Sequence, residues 1–92
     1  PIITPINFKD KQWLSKLQYL KVKIRDKKSG IKSYKAYIDG EWILMEFNHK
    51  KGILSYDFTD KPLVGSKHTF EIIVSDNVGN TNTLSSTFYR KD

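Results

Sequence analysis

The sequence has no cysteine, one alanine (Ala36) and only two arginines among its 16 cationic residues. Each shortage excludes something. Without cysteine, no disulfide staples the fold and no Cys-based zinc site forms. One alanine stands against ten isoleucines, four valines and six threonines. That ratio argues against a helical bundle, because β-branched side chains lose freedom on a helix and pack well on a pleated sheet. No apolar run approaches the ~18 residues of a membrane span. What is present is aromatic and charged: 13% aromatic residues, 28% charged residues and a formal charge of +6. The aromatics argue against disorder. A length of 92 residues predicts one domain, 1–92, with room for one modest core. The chain opens at Pro1 rather than Met, shows no signal-peptide pattern, and reads as a mature or excised piece of a larger protein.

The hydropathy pattern is that of strands. Leu20, Val22 and Ile24 alternate with Lys21, Lys23 and Arg25, which puts apolar side chains on one face and cations on the other. Tyr34, Ala36 and Ile38 alternate next, and Asp39-Gly40 follows between strand-forming residues. That dipeptide predicts a two-residue type I′ hairpin turn, in which both residues take positive φ. Glu41 to Phe47 continues as one strand. Leu54, Tyr56 and Phe58 form another, then His68, Phe70, Ile72 and Val74, with His68 as a partly buried strand residue. Asp76-Asn-Val-Gly-Asn80 fits a type I turn with Gly79 left-handed. A last strand is expected from about Thr83 to Tyr89. A first strand is expected over Ile2–Phe8, confined to a sheet edge by Pro1 and Pro5. Between them, Asp10–Leu20 reads as a loop in which Trp13 plugs one end of the core. Seven strands with turn signals about every ten residues predict an all-β fold, an immunoglobulin-like or fibronectin-like antiparallel β-sandwich without a disulfide.

Strands running up and down in order would gather Asp26–Gly30, Asn48–Gly52 and Asp76–Asn80 at one end. Lys27, Lys28, Lys50 and Lys51 make that end basic, and loop clusters of sandwiches are common binding surfaces. Asp26, Asp76, Asn77 and Asn80 also meet there on paper as oxygen ligands for calcium, but the lysines oppose a cation. No metal site and no cofactor are expected. Zinc needs clustered ligands, and His49 and His68 stand apart. No nucleophile–base pair is visible, so the domain is not expected to be an enzyme. The lysines are scattered on outward strand positions rather than gathered in a stripe, so no nucleic-acid partner is expected.

The run Trp42–Phe47 is apolar on both parities and cannot bury all its side chains in one core. Trp42 and Leu44 on one parity are therefore expected to meet an attached domain. A second reading makes Trp42 and Tyr37 a flat aromatic platform for peptidoglycan or another anionic glycan.

Three motifs carry a family resemblance: Asp26-Lys-Lys-Ser-Gly-Ile31, Tyr37-Ile-Asp-Gly-Glu-Trp42 and Val74-Ser-Asp-Asn-Val-Gly-Asn80. From about Ile3 to Arg90 the chain resembles the C-terminal immunoglobulin-like domain of lysostaphin-type zinc peptidoglycan endopeptidases of Gram-negative envelopes. The catalytic His-x₃-Asp and His-x-His motifs of that family find no match in this chain. The resemblance therefore implies a non-catalytic accessory domain that positions an attached peptidase domain. It also implies a periplasmic, outer-membrane-attached or extracellular setting, with the attached catalytic domain or another envelope protein as the partner.

Overall fold

Period-two alternation shapes the first long strand as the sequence predicts. Leu20, Val22 and Ile24 are buried, while Lys23 and Arg25 face solvent. A computed structural model describes residues 1–26, 30–60 and 62–91. Lys27 and Lys28, assigned to the basic loop end, lie outside the described residues. Among the described residues there are nine strands and no helix. They are β1 (Ile2–Pro5), β2 (Gln12–Trp13), β3 (Tyr19–Arg25), β4 (Ile31–Ile38), β5 (Glu41–Ile43), β6 (Glu46–Asn48), β7 (Ile53–Asp57), β8 (Lys67–Asp76) and β9 (Thr81–Tyr89). A four-stranded sheet has the order β1-β3-β7-β6, and a five-stranded sheet has the order β2-β9-β8-β4-β5. Pairing is antiparallel throughout, except between β2 and β9.

The inward halves of the strands form one core. Leu20, Val22 and Leu54 from one sheet share it with Phe70, Ile72 and Phe88 from the other, all at 0% exposure. Aromatic contacts run through it where a disulfide is absent. Phe8 meets Phe70 edge-on at 6.0 Å, and Phe58 lies 5.7 Å from Phe88. Among the described residues, every buried side-chain nitrogen and oxygen has a hydrogen-bond partner, as a core of this size requires.

Three expectations need correction. The seven strands become nine, partly because Glu41–Phe47 is not one strand. It divides into β5 in the five-stranded sheet and β6 in the four-stranded sheet, so the chain crosses between layers at Leu44-Met45. The first strand stops at Pro5, at the sheet edge as expected, and Phe8 drops into the core. Trp13 does not plug the core. It is 58% exposed and stacks on Tyr89 at 5.2 Å, while Leu14 is 2% exposed. The cause is the parallel pairing of β2 with β9. The Leu14 N–H bonds the Tyr89 carbonyl, and successive residues then point to opposite faces, Trp13 outward and Leu14 inward. Arg90 fixes this arrangement. Its Nη1 donates to the Leu14 and Leu17 carbonyls at 2.6 and 2.7 Å, and its guanidinium lies 4.1 Å from the Phe58 ring centre.

Candidate functional site

The β4–β5 hairpin places the sequence-predicted aromatics. Asp39 and Gly40 form its two-residue turn with φ of +53° and +79°, the left-handed pair that the dipeptide predicts. The turn fixes the register, with Ala36 opposite Ile43 and Tyr37 opposite Trp42. Ala36 and Ile43 go inward. Trp42 faces out, 60% exposed, beside the half-buried Tyr37.

The row continues across the five-stranded sheet. Tyr37 pairs with Glu71 on β8, and Glu71 pairs with Ser85 on β9. A groove of about 630 Å³ opens on this outer face. It is lined by Tyr37 and Glu71, by the hydroxyl side chains of Thr69, Ser85 and Thr87, and by Asp10. Asp10 arrives from the loop before β2. Its Oδ1 accepts the Thr87 N–H at 2.8 Å and the Ser86 hydroxyl at 3.3 Å. The Thr87 amide holds the Asp10 carboxyl below the usual carboxylate value of 3.8, so it is charged at neutral pH. Glu71 Oε2 accepts from the Ser85 hydroxyl at 3.4 Å.

Tyr37 and Trp42 are legible in the sequence as outward aromatics, whereas Asp10, Glu71, Thr69, Ser85 and Thr87 carry no local mark of a site. One signal was available: the outward parity of β9 runs Thr81, Thr83, Ser85 and Thr87 before Tyr89, four small hydroxyl-bearing side chains in succession.

Leu44 does not share this face with Trp42. The crossing between layers carries it to the other sheet. There it lines a depression of about 150 Å³ with Tyr19, Glu46, Ser55, Asp57 and Asp60. It is 68% exposed and Tyr19 is 41% exposed. The single Trp42–Leu44 surface expected from parity is thus two surfaces.

The basic loop end is a third. Lys50 and Lys51 line a cleft of about 570 Å³ with Lys23, Arg25, Phe47 and His49. Phe47 and His49 have ring centres 4.5 Å apart. Asp76, considered there as a calcium ligand, is engaged as a turn clamp. It is 2% exposed, and its carboxylate accepts the N–H groups of Val78 and Asn80 and the Asn80 side-chain amide. Among the described residues, no group of three or more His, Asp or Glu side chains gathers to hold a metal ion. His68 is not half-buried but 1% exposed, with both ring nitrogens engaged by Asp39 and the Gly65 carbonyl.

The layers, strand order and hairpin geometry define an immunoglobulin-like β-sandwich. No family model matches the chain, and neither does any curated protein. Two solved structures share the fold. An endo-β-1,4-mannanase from Thermotoga petrophila superposes with a TM-score of 0.75 at 15% identity, over 98% of this chain and 19% of that one. CopC from Methylosinus trichosporium OB3b superposes with a TM-score of 0.66 at 13% identity, over 98% of this chain and 94% of that one. Neither is a lysostaphin-type peptidase.

Proposed function

We propose that this sandwich is a non-catalytic accessory domain of a secreted or cell-envelope protein. Its work is to position an attached catalytic domain, a peptidase if the three sequence motifs are followed. The observation that carries this reading is the layer crossing at Leu44, which leaves Leu44 in the β5–β6 connection and Tyr19 at the start of β3 both solvent-facing around one depression. Exposed apolar side chains of this size suit an interdomain contact. The mannanase gives a parallel, since a domain of this fold makes up 19% of that larger chain. The test is Leu44→Asp in the natural chain that carries the domain. Interdomain proteolysis should speed up while thermal unfolding of the sandwich is unchanged. Unchanged proteolysis, or turnover of peptidoglycan by the 92-residue domain alone, would overturn the proposal.

A second reading, a glycan- or peptidoglycan-binding module, is favoured by one observation. Tyr37 lines a groove rich in hydroxyl groups, and Trp42 is its exposed neighbour across the β4–β5 pair. Pull-down on peptidoglycan, with Trp42→Ala as the control, separates this reading from the first.

A further inference from the structure

We infer that the groove on the five-stranded sheet binds a neutral glycan chain, an inference that rests on the glycan-binding reading and names its ligand class. Three features of the groove carry it.

The first is the order of chemistry across the sheet. Trp42, Tyr37, Glu71 and Ser85 lie opposite one another on four neighbouring strands. Three strand spacings of about 4.8 Å make a row of roughly 14 Å. That length suits a short oligosaccharide rather than one sugar. An exposed indole at one end offers a flat apolar face, and the apolar face of a pyranose ring packs on such a surface.

The second is the lining. Besides Tyr37, Phe70 and Gly40, it is made of the hydroxyl-bearing residues Thr69, Ser85, Ser86 and Thr87 and the carboxylates of Asp10 and Glu71. A protein partner would bring an apolar centre with few charges. A sugar brings hydroxyl donors, and a hydroxyl donating to a carboxylate forms a short, charge-assisted bond. Asp10 is already oriented by the Thr87 amide, so its placement costs little on binding.

The third is charge. Among the described residues, two carboxylates and no cation line this groove, while Lys23, Arg25, Lys50 and Lys51 outnumber the one carboxylate, Asp26, in the separate cleft at the loop end. An anionic polymer would be repelled at the first and drawn to the second. Among glycans, a neutral chain therefore suits this groove better than an anionic one.

Affinity gel electrophoresis of the 92-residue chain tests this, with galactomannan and hydroxyethyl cellulose as neutral probes and polygalacturonate as the anionic one. At least one neutral polymer should retard the protein at moderate salt. Trp42→Ala and Tyr37→Ala should each weaken that binding about tenfold or more, and the Lys50→Ala/Lys51→Ala pair should leave it unchanged. Far-UV circular dichroism checks that each variant is folded. Retardation by polygalacturonate alone, still lost in Trp42→Ala, would overturn the neutral ligand and keep the glycan site. Retardation by no polymer, with peptidoglycan pull-down also negative, would overturn both.

Discussion

The Asp39 carboxylate ties the β4–β5 turn to the buried imidazole of His68. Oδ2 lies 2.6 Å from His68 Nδ1, and Oδ1 accepts the Thr69 N–H at 2.9 Å. On the far side of the ring, the Gly65 carbonyl lies 2.9 Å from Nε2. A carbonyl can only accept, so Nε2 carries a proton. One side chain thus joins the hairpin beneath the groove to β8 and to the 58–66 connection.

Asp39 serves two ends, and one substitution separates them. Its φ of +53° suits glycine better than any other residue. Asp39→Gly relieves the backbone and removes both side-chain bonds. The bonds should dominate: the variant should lose about 1–3 kcal/mol in urea unfolding, because a buried imidazole nitrogen is left unpaired. A more stable variant would show that the backbone term wins.

The parity of β5 predicts opposite outcomes for neighbours. Ile43 is 7% exposed and Trp42 is 60% exposed. Ile43→Ala should cost about 2–5 kcal/mol by opening a cavity. Trp42→Ala should stay within about 0.5 kcal/mol of the parent. Chemical denaturation of the two variants checks both, and similar losses would contradict the outward placement of Trp42.

Two turn glycines share a left-handed φ but differ in room. A Cβ on Gly52 would meet the Ile24 carbonyl oxygen at 2.9 Å, whereas one on Gly40 has nothing within 4 Å. Both alanine variants carry backbone strain of about 1 kcal/mol or more. Gly52→Ala must also push β3 away, so its thermal midpoint should fall further than that of Gly40→Ala.

Acid should weaken the fold through two surface carboxylates. The Thr87 amide holds Asp10 below its ordinary pKa, and the Thr59 hydroxyl and amide do the same for Asp57. A depressed folded-state pKa adds stability above the unfolded value. That stability is lost as pH falls through the lower, folded value. Asp10→Asn and Asp57→Asn should each lower stability at neutral pH and flatten its decline below about pH 4. A decline as steep as the parent's would remove both groups from the acid response.

Much of the fold was legible from local pattern. Leu20, Val22 and Ile24 announce an inward face by period two alone, and Asp39-Gly40 announces its turn because few other dipeptides accept two positive φ angles. The groove was less legible. Tyr37 and Trp42 stand out as large aromatics, but Thr69, Ser85 and Thr87 resemble any outward strand residues. Asp10 lies more than 70 positions from its Ser86 and Thr87 partners, and nothing local marks that meeting.

The sequence by itself determined the all-β class, the edge position of the proline-bearing first strand and the inward parity of each long strand. These follow from side-chain period and backbone sterics, which act over a few residues. Tertiary structure decided where the chain changes layers. The Trp42–Phe47 run is apolar on both parities, so its pattern names no face. Pairing of β5 with β4 and of β6 with β7 sets Trp42 over one sheet and Leu44 over the other. The parallel pairing of β2 with β9 likewise buried Leu14 and exposed Trp13, against the larger hydrophobic payload of the indole. Register with a partner strand, not hydrophobicity, chose the outward tryptophans.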